Sequence, residues 1–178
     1  MRRLLLLRHG KADRHSAGGD HERPLTRRGV EDARRIGEFL RDEKMIPQLA
    51  VASDALRAKQ TLERALEALP IHVAHMFETT IYLAPMERLI ETLRLTPDKI
   101  STLLAVGHNP GFGDLASWLA GAGDPEELKL MREKFPTAAL AVLDFEIDHW
   151  EEVQPGGAGL KRFVTPAILR GDAGDEPD

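Results

Sequence analysis

The sequence predicts a three-layer α/β/α sandwich with a mostly parallel central sheet and helices on both faces. Three observations predict it. Short continuous apolar runs at 4–7, 49–52 and 102–106 read as strands buried on both faces, the signature of strands inside a parallel sheet. Each run leads into a polar junction and then into a segment whose apolar residues recur at helical spacing. That strand–loop–helix order occurs three times, as parallel pairing requires.

The first run is four leucines that stop at Arg8-His9-Gly10, which sets these three residues at a strand's carboxyl end. Residues 11–26 carry Gly18-Gly19, Pro24 and many charges and read as a loop. Over 27–42, Val30, Ala33, Ile36, Phe39 and Leu40 form one apolar stripe, with Thr26 as the N-cap. Ser53 is expected to cap a second helix striped by Leu56, Leu62, Leu66 and Leu69 and ended by Pro70. A third strand is expected over 71–76 and a helix over 85–95. Gly107-His108-Asn109-Pro110-Gly111 links the fourth strand to a helix capped by Asn109 and opened by Pro110. Its inward face is Phe112, Leu115, Ala116 and Leu119, and Gly121 suits its end. A helix over 126–134 and strands over 138–145, 150–153 and 160–164 follow, the last two joined by a hairpin loop at 155–159. The C-terminal strands are expected to add an antiparallel edge. Residues 1–170 form one domain, and the acidic tail 171–178, lacking bulky apolar residues, is expected to be disordered.

Composition narrows the function. A chain of 178 residues, 42% apolar and 30% charged, is an ordinary globular domain. Without cysteine it has neither a disulfide framework nor a thiolate metal site. Four leucines are too few for a signal-peptide core or a membrane span, so a cytoplasmic protein with no membrane partner is expected. A net charge of −5 argues against a broad nucleic-acid-binding face but leaves room for a local cationic pocket. The Arg27-Arg28 and Arg34-Arg35 pairs read as solvated helix surface. His72 and His75, three apart in the third candidate strand, are expected on opposite faces, which argues against a shared metal.

The chemistry concentrates at three junctions: Arg8-His9-Gly10, Ser53-Asp54-Ala55-Leu56-Arg57 and Gly107-His108-Asn109. Each follows a buried-type strand, so in a parallel sheet they share the edge where ligands bind. Two arginines, two histidines and two helix N-termini would converge there. Guanidinium forks match phosphate oxygens bidentately, and helix N-termini favour anions. A neutral imidazole can attack phosphorus, and fixed positive charge stabilises the transition state. With two arginines and a protonated His108 supplying that charge, no metal or other cofactor is expected.

These junctions resemble, in order, the motifs of the histidine phosphatase superfamily, the phosphoglycerate mutase-like fold. Arg8-His9-Gly10 matches its N-terminal signature. Arg57, within Ser-Asp-Ala-Leu-Arg-Ala-Lys-Gln-Thr at 53–61, matches its second phosphate-binding arginine, and His108 its second histidine. The segment Arg-Pro-Leu-Thr-Arg-Arg-Gly at 23–29 resembles the opening of the first helix in short bacterial members. The resemblance runs from residue 3 to about 165. It implies that His9 becomes phosphorylated while Arg8, Arg57 and His108 hold the phosphoryl group, with Asn109 counted among the substrate-binding residues. Within the superfamily the chain is most similar to the small SixA-type phosphohistidine phosphatases. Only residues 62–107 separate the second motif from the third, which leaves little chain for a lid. The implied partner is a phosphorylated substrate, notably a phosphohistidine-bearing protein. Glu78, in Phe-Glu-Thr-Thr, lies where the family's general acid is sought; Asp13 and Asp54 are rivals, and a phosphoramidate leaving group makes a missing acid tolerable. The alternatives are a phosphoglycerate-type mutase or small-metabolite phosphatase, and a non-catalytic module that binds phosphorylated ligands.

Overall fold

The computed structural model describes residues 1–172, so all but the start of the expected disordered tail lies outside the described residues. Seven strands, β1 (Arg2–Arg8), β2 (Leu49–Ser53), β3 (Ala74–Glu78), β4 (Thr102–Gly107), β5 (Ala120–Gly123), β6 (Leu140–Phe145) and β7 (Ala158–Val164), form one sheet in the order β3-β2-β4-β1-β6-β7-β5. Strands β3, β2, β4 and β1 pair in parallel; β6 runs antiparallel to both β1 and β7, and β5 joins β7 in parallel. The sheet is therefore mostly parallel, but its antiparallel strand lies inside it, between β1 and β7, and not at an edge.

The four leucines explain why β1 reads as a continuous apolar run. Leu4 and Leu6 face one core layer and Leu5 and Leu7 the other, all four fully buried. Strand β4 repeats the alternation, with Leu103 and Ala105 on the first face and Leu104 and Val106 on the second. The first layer is closed by α3 (Met86–Arg94), α4 (Gly111–Leu119) and α5 (Pro125–Glu133), and the second by α1 (Arg27–Asp42) and α2 (Leu56–Glu67). Burying each leucine is worth about 2 kcal/mol, so the centre of the sheet is the most strongly anchored part of the fold. Thr26 caps α1 by accepting from Gly29 N, as expected.

Several local expectations are corrected. Ser53 is the last residue of β2, and the residue capping α2 is Ala55. The third strand is Ala74–Glu78, shifted toward the chain's carboxyl end. His72 therefore precedes the strand, and alternation does not separate it from His75; their rings lie 6.3 Å apart. Helix α4 begins at Gly111 with Pro110 at its N-cap, one position later than expected. Gly121 belongs to β5, whose Ala-Gly-Ala-Gly sequence offers no side-chain pattern to read. Residues 150–152 form a 3-10 helix, because Trp150 and Val153, both buried, are three apart while Glu151 and Glu152 are exposed. A short helix α6 (Pro166–Arg170) also escapes the sequence pattern. Among the described residues no helix is long and apolar enough to cross a membrane.

Candidate active site

Register alone brings the three junctions together. Arg8 pairs with Gly107, and His9 N donates to Gly107 O at 3.0 Å, so the exits of β1 and β4 are neighbours. On the other side of β4, Ala52 pairs with Val106, which sets Ser53 beside the start of the His108 loop. Side chains complete the frame. Gly10 N donates to Thr61 Oγ1 at 2.9 Å, and Thr61 Oγ1 donates to Arg57 O at 2.6 Å, which ties the first junction to the first turn of α2. A Cβ on Gly10 would come 2.7 Å from Gly29 O, so only glycine lets the chain leave β1 this close to α1.

His9 is 7% exposed and His108 3%, with ring centroids 5.2 Å apart. His9 Nδ1 lies 2.8 Å from Gly10 O. A carbonyl can only accept, so Nδ1 carries the proton and the Nε2 lone pair is left for a nucleophile. Burial pushes the imidazole well below its ordinary value of 6.5; the Gly10 bond opposes this, and His108, Arg8 and Arg57 add to it. Desolvation, more than the arginines, keeps His9 neutral.

His108 Nε2 lies 2.7 Å from Ser53 Oγ, which also accepts from Ala55 N. Ser53 is thus free to donate its proton to Nε2, and in that tautomer Nδ1 carries the His108 proton. His108 Nδ1 and Arg57 Nε are both buried without a hydrogen-bond partner among the described residues. Burial first, then Arg57, lowers His108 to about 4. The expected protonated His108 is therefore corrected: the imidazole is neutral as these side chains stand. A phosphoryl dianion between the arginines would favour its charged form.

Arg57, with a side chain 3% exposed, donates from its two terminal nitrogens to the main-chain and carboxylate oxygens of Asp20, at 2.7 and 3.1 Å. Arg8 donates to Phe135 O at 3.1 Å. Asn109 donates to the same carbonyl at 2.7 Å and accepts from Gly113 N at 3.2 Å. Both ends of its amide thus serve the turn into α4. Glu78 ends β3 in register with Ser53 of β2, and so lies two strands outward from the β4 exit that carries His108. Asp13 is exposed in the loop, and Asp54 holds His21 at 3.0 Å.

Sequence reasoning missed Asp20, Tyr82 and Thr61. Tyr82, the chain's only tyrosine, donates to Asp20 Oδ2 at 2.5 Å and sets its ring edge-on to His108 at 5.5 Å and to His21 at 4.9 Å. A lone tyrosine within 62–107 was a readable signal; Asp20, 37 residues from the arginine it holds, was not.

Residues 4–78 match the family model of the histidine phosphatase superfamily (branch 1). The chain is 35% identical to an uncharacterized protein of Mycobacterium tuberculosis over 162 residues, 90% of this chain and 99% of the relative. Among solved structures it is similar to a candidate phosphohistidine phosphatase SixA from Nakamurella multipartitia, with a TM-score of 0.80 and 29% identity over 93% of this chain and 96% of that one. The protein histidine phosphatase SixA complexed with tungstate gives a TM-score of 0.76 and 25% identity over 94% and 99%.

Proposed function

The chain belongs to the histidine phosphatase superfamily, and from that premise we propose that it removes phosphoryl groups through His9, without a metal, with phosphohistidine on a protein as its substrate class. One observation carries the reading. A neutral imidazole whose Nε2 is free lies beside two buried donors, Arg57 Nε and His108 Nδ1, that have no hydrogen-bond partner among the described residues. Buried donors of this kind are costly unless a ligand accepts from them, and a phosphoryl group offers three acceptor oxygens.

The reaction runs in two displacements. His9 Nε2 attacks phosphorus as the bond to the leaving nitrogen breaks; that nitrogen takes a proton from solvent water and departs as a neutral imidazole. Water then attacks the phosphorus, the P–Nε2 bond breaks, and phosphate leaves with His9 restored. Arg8, Arg57 and His108 supply the positive charge that stabilises the equatorial oxygens in both steps. An imidazole departs more easily than an alkoxide, so Glu78 matters for ester substrates and is dispensable for phosphoramidates.

The protein-borne substrate is supported by the short connection between β3 and β4. Residues 79–101 hold one 3-10 turn, α3 and their linkers, with no separate lid domain. The structural relatives named as phosphohistidine phosphatases share this compact plan, covering almost their whole length. The test is phosphate release from a histidine-phosphorylated carrier domain, with and without EDTA, beside an assay of phosphoglycerate interconversion. Release unaffected by EDTA, without interconversion, is the expected result. Interconversion without release would establish the mutase, and binding without either would establish the non-catalytic module.

A further inference from the structure

The loop between β1 and α1 contributes a residue that reaches into the site from outside the three junctions. Asp20 grips Arg57 twice, through its main-chain carbonyl at 2.7 Å and its carboxylate at 3.1 Å. The same carboxylate oxygen accepts from Tyr82 at 2.5 Å, and its other oxygen lies 3.4 Å from Arg23 Nε. We propose that Asp20, held by Tyr82, is a positioning residue that fixes the Arg57 guanidinium by its far end and so presents the opposite edge to the phosphoryl group; this rests on the phosphatase reading above.

A guanidinium has five N–H donors in a planar fork. Asp20 takes one from each terminal nitrogen, through its main-chain and carboxylate oxygens. The edge formed by Nε and the second hydrogen of Arg57's Nη2 remains, and Nε on that edge is buried with no hydrogen-bond partner among the described residues. That edge is a complete bidentate site for two oxygens of one phosphoryl group. Arginine also carries large rotamer freedom, and a guanidinium fixed beforehand loses little on binding. The Tyr82 bond first, and Arg57 after it, hold the Asp20 carboxyl below the usual carboxylate range, so the clamp stays ionised.

The rival reading is a latch, in which the Asp20 carboxylate competes with substrate for Arg57. The two differ in sign. Positioning makes loss of the carboxylate harmful; a latch makes it beneficial. The main-chain contact favours positioning, because a substrate cannot displace Asp20 O without moving the whole loop turn.

The experiment measures kcat and KM on an aryl phosphate, and tungstate affinity, for Asp20→Ala, Asp20→Asn and Tyr82→Phe, each alone and in an Arg57→Ala background. Asp20→Ala is expected to lower kcat about tenfold and to weaken tungstate to a similar degree. Asp20→Asn, which keeps an accepting oxygen, should recover most of that loss, and Tyr82→Phe should cost about threefold. In the Arg57→Ala background the Asp20 substitutions should have no further effect, because they act through Arg57. Faster turnover or tighter tungstate in Asp20→Ala would overturn positioning in favour of a latch. Losses that add fully to Arg57→Ala, or an unchanged Asp20 series, would overturn it outright. A wild-type protein that neither turns over aryl phosphate nor binds tungstate would overturn the phosphatase reading itself.

Discussion

The two ends of β1 and β4 use the same residue types to opposite effect. At the amino ends, arginine and histidine are matched with carboxylates. Arg3 forks onto both oxygens of Asp144 at 2.6 and 2.7 Å, and His149 sits 2.7 Å from Asp98. Asp98 raises His149 above its ordinary pKa. At the carboxyl ends, His9 and His108 are buried against each other in a field shared with Arg8 and Arg57, and both are driven below it. A histidine given a carboxylate and water holds its proton; one given burial and cations surrenders it. The same sheet thus carries a structural seam at one end and, on the reading proposed here, a nucleophile at the other.

The comparison breaks first at His9. Its replacement by asparagine should abolish turnover while the thermal midpoint stays close to wild type; substantial remaining activity would move the nucleophile elsewhere. Arg57→Ala should lower kcat/KM by about a hundredfold to a thousandfold, the scale for losing a preorganised charge donor. Arg57→Lys should recover little of it, since an ammonium cannot supply the guanidinium's fixed fork; full recovery would show that charge alone suffices.

A pH profile sharpens the contrast between the ends. His9 attacks only in its unprotonated form, so activity is lost as pH falls through its folded pKa, which burial holds well below 6.5. The acid limb of kcat/KM should therefore lie clearly below pH 6.5; a limb at or above that value would contradict a desolvated His9. The smallest effect belongs to the far end. His149 is raised by Asp98, and its contribution is fully present below the unfolded pKa and lost as pH rises through the folded one. Asp98 is lowered by His149, and its contribution is present above the unfolded pKa and lost as pH falls through the folded one. Asp98→Asn should thus cost a small amount of stability, greatest in mildly acidic solution between those limits and fading at alkaline pH. Denaturant titrations across pH measure it, and a cost that grew toward alkaline pH would contradict the pairing.

Much of this arrangement is legible in the sequence, for physical reasons that differ by element. Leu4 to Leu7 announce a central strand because two core layers demand apolar residues on both faces of the sheet. His9, Arg57 and His108 are legible because strand ends in a parallel sheet share an edge, and the register of β1 with β4 and β4 with β2 delivers that sharing. Ser53 misleads because serine is also a good cap; a strand's inward end uses it to hold His108 instead. Asp20 carries no local signal, since its bond to Tyr82 links residues 62 positions apart and depends on how the loop folds back. Asn109 is legible as a turn residue, and the structure keeps it one.

The mechanism turns on one atom, Nε2 of His9, and trapping the phosphoenzyme tests its role. The protein is mixed briefly with a radiolabelled phosphoryl donor and quenched in alkali, where phosphohistidine survives, and the label is mapped by peptide. Label is expected on the peptide carrying His9, vanishing on acid treatment and absent from His9→Asn. Rapid phosphate release with no label on that peptide, or label on another residue, would contradict it.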